Sequence, residues 1–176
     1  IKSSVNNLTD ILNDFLSLGK MEDGKIPVTP VETDIEVMLM QLTGEMQAHT
    51  KSGQTIIYNH TGSAVISVDT TLLRNSIVNL LSNAIKFSPE NKPIQLTSSI
   101  NSAEFVIIVE DKGIGISQDD QKHLFERFFR ANNATNIQGT GLGLHIVAKY
   151  VELMGGEIEY ASELEKGSKF IIKIKL

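Results

Sequence analysis

The chain has 176 residues, room for one domain and an extra element at the ~100–200 residues usual per domain. Its 16 basic and 21 acidic side chains leave a formal charge of −5, the wrong sign for a protein that neutralises nucleic-acid phosphates. A hydrophobic share of 41% excludes a disordered chain, and zero cysteine excludes a disulfide framework and Cys-based zinc sites. No apolar run approaches the ~20 residues of a membrane helix and no signal peptide is present, so direct membrane contact is not expected. The chain begins at Ile1 inside a helical pattern and reads as a piece of something longer.

Ile1, Val5, Leu8, Leu12 and Phe15 are spaced 4-3-4-3, a coiled-coil seam widened by Ile11, Leu16 and Leu18. A lone helix of this length cannot bury such a seam, so it needs a partner or its own domain. Gly19, Gly24, Pro27 and Pro30 end it, and residues 26–33 read as a linker. Thr33 and Glu36 form a capping box for a second helix, whose buried stripe is Ile35, Met38, Leu39, Leu42 and Met46. KSGQTIIYNH and SAVISV are two short strands around a turn at Gly62. Asp69 or Thr70 caps a long helix to about Phe87, which Ser88-Pro89 stops. PIQLTSSI and EFVIIVED are strands joined through Asn101-Ser102, and the nearly all-apolar second suits a central position. QDDQKHLFERFFR is a short helix, ANNATNIQ a polar, aperiodic mobile loop, and GTGLGLHIVAKYVELMGG a glycine-opened amphipathic helix. GEIEYASE and SKFIIKIK close the chain as a strand pair. The expected class is α+β: a two-layer α/β sandwich with helices on one face of a mixed, mostly antiparallel sheet, preceded by a coiled-coil-like helix.

Three features carry chemistry. On the long helix Asn75, Asn79, Asn83 and Lys86 share one face, opposite the core face of Ile77, Leu80, Leu81 and Ala84. Each asparagine costs up to ~0.7 kcal/mol relative to Ala, so stacking three suggests a polar ligand, although a solvated face reads the same way. An Asn oxygen suits magnesium, and Lys86 suits a phosphate. Asp111 ends the apolar strand, where a buried carboxylate suits an amino group such as that of adenine, and Gly113 and Gly115 let the backbone approach closely. Asp-x-Gly also marks ordinary turns. Gly139, Gly141 and Gly143 open a helix, whose free N–H groups suit phosphate. The spacing is neither a P-loop nor GxGxxG after a strand, and a flexible glycine loop fits it too.

Together and in this order the motifs resemble the ATP-binding catalytic domain of sensor histidine kinases, in the GHKL ATPase superfamily shared with gyrase, a chaperone class and mismatch-repair proteins. NLLSNAIKFSP is similar to the N box, DKGIGIS to the first glycine box, LFERFFR to the F box and GTGLGLHIVAKYVELMGG to the second glycine box. The resemblance covers about Val28 to Leu176. It implies a Bergerat-type ATP-binding fold at 34–176, a linker at 26–33, and at 1–25 the last part of the second helix of a dimerisation and phosphoacceptor domain.

The resemblance also implies roles. Asn83 would coordinate magnesium with Asn79 beside it, and Lys86 and Arg130 would meet the phosphates; Asn83, Lys86 and Arg130 form the expected catalytic set. Phe87 would be the aromatic beside the nucleotide. Asp111 would read the adenine amino group, with Gly113, Gly115 and Ile116 around the base. Residues 131–138 would be a lid, anchored by Phe125 and Phe128, which fit plain core equally well. Gly139, Thr140, Gly141, Leu142, Gly143 and Leu144 would line the pocket. The implied cofactors are ATP and Mg2+. The implied partners are a phosphoacceptor helix of the same or a second subunit and a response-regulator receiver domain, within a cytoplasmic, homodimeric part of a sensor.

ATP-hydrolysing relatives place a Glu four residues before the magnesium Asn. Here that residue is Asn79, which takes no proton at neutral pH, so transfer to a positioned histidine is favoured over hydrolysis. None of His49, His60, His123 and His145 lies in a His-Glu/Asp-x-Arg context, so the acceptor is expected outside the chain. Two alternatives remain: a nucleotide-gated binding module without transfer, and a serine kinase of the anti-sigma type.

Overall fold

The computed structural model describes residues 12, 14–20, 24, 26–137 and 139–176. Three seam residues, Ile1, Val5 and Leu8, and Ile11 beside the seam lie outside them. Residues 14–20 are helical (α1). Then follow β1 (Val31–Asp34), α2 (Ile35–Gln47), β2 (Thr55–Gly62), β3 (Val65–Val68), α3 (Thr70–Phe87), β4 (Pro93–Ile100) and β5 (Glu104–Glu110). The chain ends with α4 (Gln118–Gln121), a 3-10 turn (Asn132–Ala134), α5 (Gly143–Leu153), β6 (Gly156–Glu163) and β7 (Gly167–Lys175).

Five strands form the main sheet in the order β2-β4-β5-β7-β6, and β1 and β3 form a separate pair. The β2–β4 pair is parallel and the other neighbours are antiparallel. Alternate residues of the central strands turn to one face, among them Ile94, Leu96, Phe105, Ile107, Ile172 and Ile174. They meet the apolar faces of α2, α3 and α5 in one core. The other face carries ion pairs, Glu110 with Lys112 and Lys169, and Lys173 with Glu159. One face dry and one wet is what alternation over an antiparallel sheet produces. No helix among the described residues is long and apolar enough to cross a membrane.

The helix α3 positions most of the site. Asp69 caps it, its Oδ1 accepting the Thr71 and Leu72 N–H groups at 3.0 Å each. Leu73, Ile77, Leu80 and Leu81 are at most 1% exposed. At about 1.5–3 kcal/mol each, their burial far outweighs the ~2 kcal/mol the asparagines cost in helix propensity. The polar face is therefore free to be spent on a ligand.

Several local expectations are corrected. Asp34 caps α2, accepting the Val37 N–H at 3.0 Å. Thr33 is paired with Ile66 in β1, and its hydroxyl donates to Val31 O. That strand also takes up the end of the stretch read as a linker. β2 and β3 do not pair with each other: β3 leaves for β1 at Gly62, where φ is 91° and a Cβ would sit 1.9 Å from Ile100 O. Within QDDQKHLFERFFR only Gln118–Gln121 is α-helical, and Phe128 takes a φ of 62°, which no α-helix allows. The loop read as aperiodic contains the 3-10 turn, with Ala134 buried.

Candidate active site

A cavity of about 610 Å³ lies between α3, the loop after β5, residues from 124–137 and 139–141, and the start of α5. The whole polar face of α3 lines it: Asn75, Asn79, Asn83 and Lys86, with Phe87 next along the chain. Asn79 Nδ2 donates to Asn75 O at 3.0 Å, and a Cβ on Gly143 would lie 3.1 Å from Asn79 Oδ1. The glycine is what lets α5 start against α3. The Asn83 side chain has no hydrogen bond among the described residues, leaving its oxygen available to a cation. The Lys86 ammonium reaches across the cavity to within 3.7 Å of where a Cβ on Gly139 would stand.

The end of α3 is held from outside by residues that local pattern did not reveal. Lys51 Nζ donates to Lys86 O and Ser88 O, both at 2.7 Å. Gln54 is 2% exposed and donates to Ile85 O, Ser88 O and Pro89 O. These donors satisfy helix-end carbonyls that have no partner within the helix. They fix the turn that carries Lys86 and Phe87.

Asp111 stands at the end of β5, 7% exposed and on the cavity wall. Gly113 N–H donates to its Oδ1 at 2.7 Å. Burial pushes the carboxyl up to about 6; the Gly113 and Ser168 backbone contacts and Lys112 oppose this, and the Glu110 charge adds to it. Gly113 is behind the wall: a Cβ there would lie 2.6 Å from Phe87 O. Gly115, with φ 66°, and Ile116 line the cavity. Gly167, which the motifs did not single out, has φ 114°, and a Cβ would sit 2.0 Å from Asp111 O.

Neither Phe125 nor Phe128 lines the cavity. Phe125 packs on Tyr160 with ring centroids 5.8 Å apart, and Phe128 is 57% exposed, 6.2 Å from the Phe15 ring of α1. The turn at Phe128 instead aims Phe129 inward beside the buried Leu124. Arg130 lines the cavity, but its Nη2 donates to Ala134 O and Thr135 O at 3.1 Å each, and to Ile137 O. In this structure the guanidinium holds the segment that follows it.

Gly139, Thr140, Gly141, Gly143 and Leu144 line the remaining wall. Gly141, at φ 73°, lies where a Cβ would be 2.6 Å from the Phe128 carbonyl carbon. The N-cap residue Leu142 supplies α5 with no side-chain cap, and the helix begins at the cavity with its first N–H groups. Leu142 turns away into a second apolar cluster with Leu18, Leu72, Ile146 and Tyr150. That cluster docks α1, whose Asp14, Leu16, Ser17 and Lys20 complete the cavity. Thr140 Oγ1 donates to Asp14 Oδ2 at 2.7 Å. None of the four histidines is on the wall.

A polar helix face, a buried carboxylate and an uncapped glycine-rich helix start converge on one cavity, and comparison with known proteins agrees with that pattern. The model of the family described as histidine kinase-, DNA gyrase B-, and HSP90-like ATPase matches residues 68–176. The chain is 36% identical over 186 residues to the sensor protein GacS of Pseudomonas syringae pv. syringae, covering 100% of this chain and 20% of that protein. It is 30% identical over 171 residues to the sensor protein SrrB of Staphylococcus aureus (strain NCTC 8325 / PS 47), covering 95% of this chain and 29% of that protein. Among solved structures, full-length ShkA in complex with AMPPNP superposes with a TM-score of 0.86 at 28% identity, over 98% of this chain and 36% of that one. The Acinetobacter baumannii histidine kinase AdeS shares the fold, with a TM-score of 0.80 at 22% identity over 98% of this chain and 80% of that one. The chain belongs to the histidine kinase-, DNA gyrase B-, and HSP90-like ATPase family, and within it to the ATP-binding catalytic domains of two-component sensor histidine kinases. It spans 20% and 29% of the length of the two curated relatives described.

Proposed function

We propose that this chain binds ATP with magnesium and directs its γ-phosphoryl group to a histidine on a dimerisation domain outside the chain, for relay to a response regulator. The observation that carries the reading is the convergence of Asn83, Lys86, Asp111 and the uncapped start of α5 on one cavity. Full-length ShkA, which this chain resembles, is described in complex with AMPPNP.

Asp111 accepts a hydrogen bond from the adenine amino group. Its burial excludes water, which would otherwise compete for that bond, so the contact discriminates between bases. At the other end the N–H groups of α5 and the Lys86 ammonium meet the phosphates, where helix dipole and positive charge act together. Arg130 joins them by exchanging lid carbonyls for phosphate oxygens.

Asn83 fits a magnesium ion: its amide oxygen is neutral, hard and available, and such ions bind through one or two protein oxygens plus phosphates. When bound, magnesium neutralises charge on the phosphate oxygens. Asn79 has its amide donated to Asn75 O and is no proton acceptor, so the site holds no base at that position to activate water. Positioning and charge neutralisation then carry the transfer, and the nucleophile supplies its own reactivity.

The parent is proposed to be a homodimeric sensor with this domain in the cytoplasm. The test is labelled γ-phosphate transfer, with a phosphoacceptor domain supplied in trans. Acid-labile label on histidine is the expected result. Acid-stable label on serine would support an anti-sigma type kinase. Binding without transfer would support a nucleotide-gated module.

A further inference from the structure

The segment after Arg130 is polar, yet it opens in a defined turn, with Ala134 N–H donating to Ala131 O at 2.9 Å. No side chain caps that turn from its N-cap position. What holds it is Asp120, in α4. Asp120 is 5% exposed, and its own N–H donates to Ser117 Oγ at 3.1 Å. Both of its carboxylate oxygens are used on one residue of the turn. Oδ2 accepts the Asn132 backbone N–H at 3.0 Å, and Oδ1 accepts Asn132 Nδ2 at 2.8 Å. The next residue is tied as well: Asn133 Nδ2 donates to Gly115 O at 2.9 Å.

A buried carboxylate is costly unless its oxygens are hydrogen-bonded, and bonds to a charged acceptor are about twice as strong as neutral ones. Among the described residues, the side chain's hydrogen-bond donors come from the turn itself. Burying Asp120 and ordering the turn are therefore one event. Ala131, Asn133 and Ala134, which flank or follow the clamped residue, are on the cavity wall, whereas Asp120 is not.

We infer that Asp120 is a positioning residue of the nucleotide site: acting through Asn132, it prefolds the first turn of the lid, so that this wall is in place before nucleotide arrives. The inference rests on the reading that the cavity takes ATP. Because Asp120 touches neither the phosphates nor Asn83, its loss weakens nucleotide retention and leaves the transfer step alone.

The test exchanges the two partners in the full chain, at pH 8. Asn132→Asp sets a second carboxylate against the buried one and removes the Nδ2 donor. Asp120→Asn alone is tolerated, because its Oδ1 still accepts the backbone N–H and the Asn132 amide rotates to accept from its Nδ2. The double variant Asp120→Asn with Asn132→Asp restores both bonds with donor and acceptor exchanged. Two quantities are read: hydrogen exchange of amides 131–134 without nucleotide, and the dissociation constant for ATP with magnesium.

In Asn132→Asp the exchange at 131–134 rises about tenfold, with the rest of the chain unchanged, and ATP binds about five- to tenfold more weakly, the loss of roughly one charge-assisted bond. In Asp120→Asn and in the double variant both readouts return to within about twofold of the unmodified chain. Unchanged exchange in Asn132→Asp, or a double variant that fails to recover, overturns the inference. If all variants bind ATP with the same affinity, the role in nucleotide retention is wrong while the ATP reading stands. If the unmodified chain binds no ATP, both fall, whatever the exchange shows.

Discussion

Replacing Asp111 with Asn separates what the site costs the fold from what it gives the ligand. The carboxyl is 7% exposed, and burial pushes it up to about 6 from an ordinary 3.8. A carboxyl whose folded value is raised binds its proton more tightly in the native state than in the unfolded one. Between these two values the native state therefore holds more protons, and stability falls as pH rises through that window. The gap of about 2.2 corresponds to about 3 kcal/mol at 1.36 kcal/mol each, an upper bound on what ionised Asp111 costs the ligand-free chain at neutral pH. An Asn keeps an acceptor for the Gly113 N–H and carries no charge. Its N–H2 group replaces one carboxylate oxygen and weakens the backbone contacts that the carboxylate accepts, so only part of that cost is recovered. We expect Asp111→Asn to raise stability at pH 7.5 by about 1–2 kcal/mol, or about 3–6 °C in melting temperature, with little gain at pH 4. Glu110, which its lysine partners hold below the ordinary range, changes with pH in the opposite sense and is present in both proteins. The same variant should lose at least about tenfold in ATP affinity, because the adenine amino group loses a charged acceptor. Melting curves of both proteins at pH 4, 6 and 7.5, with calorimetry at pH 7.5, read both effects. A variant no more stable than the parent at pH 7.5 would refute the claim that burial strains this carboxylate. Unchanged ATP affinity would refute its contact with the base.

Other predictions follow from single contacts. Gly167→Ala combines a φ of 114° with a Cβ 2.0 Å from Asp111 O, and should cost about 3 kcal/mol or more in urea unfolding; a loss under about 1 kcal/mol would show that the β6–β7 turn yields freely. Leu18→Asp places a charge in the cluster of Leu72, Leu142, Ile146 and Tyr150. It should release α1, raising hydrogen exchange at 14–20 by about tenfold or more, and unchanged exchange there would contradict the docking. Gln54→Leu removes donors from three carbonyls at the end of α3 and should destabilise by about 2–3 kcal/mol, with weaker ATP binding because Lys86 and Phe87 lie in that turn. A loss of stability with unchanged ATP affinity would separate that cap from the site.

What the sequence made legible was local in origin. The spacing of Asn75, Asn79, Asn83 and Lys86 against Ile77, Leu80 and Leu81 follows from helical period alone, and the cavity uses the first set while the core uses the second. Asp111 was legible only beside the other motifs, since Asp-x-Gly alone also marks ordinary turns. The contacts that stayed hidden join residues far apart in the chain. Nothing near Gly167 signals that Asp111 will press against it, and nothing near Gln54 signals three carbonyls at and just past the end of α3. The F box shows a second kind of failure. A helical reading placed Phe125 and Phe128 together, but the left-handed residue at Phe128 ends any helix and brings Leu124 and Phe129 inward instead. Thr33 read as the cap of α2, but β1 runs on through Asp34, and it is the Asp34 side chain that accepts the Val37 N–H.

The most direct test is a calorimetric titration of the full chain with ATP, with and without magnesium, repeated for Asn83→Ala and with GTP. The account predicts one site in the micromolar range that strengthens with magnesium. Asn83→Ala should lose the magnesium dependence while keeping its fold, and GTP should bind far more weakly. ATP and GTP binding equally, or Asn83→Ala keeping the full magnesium effect, would contradict it.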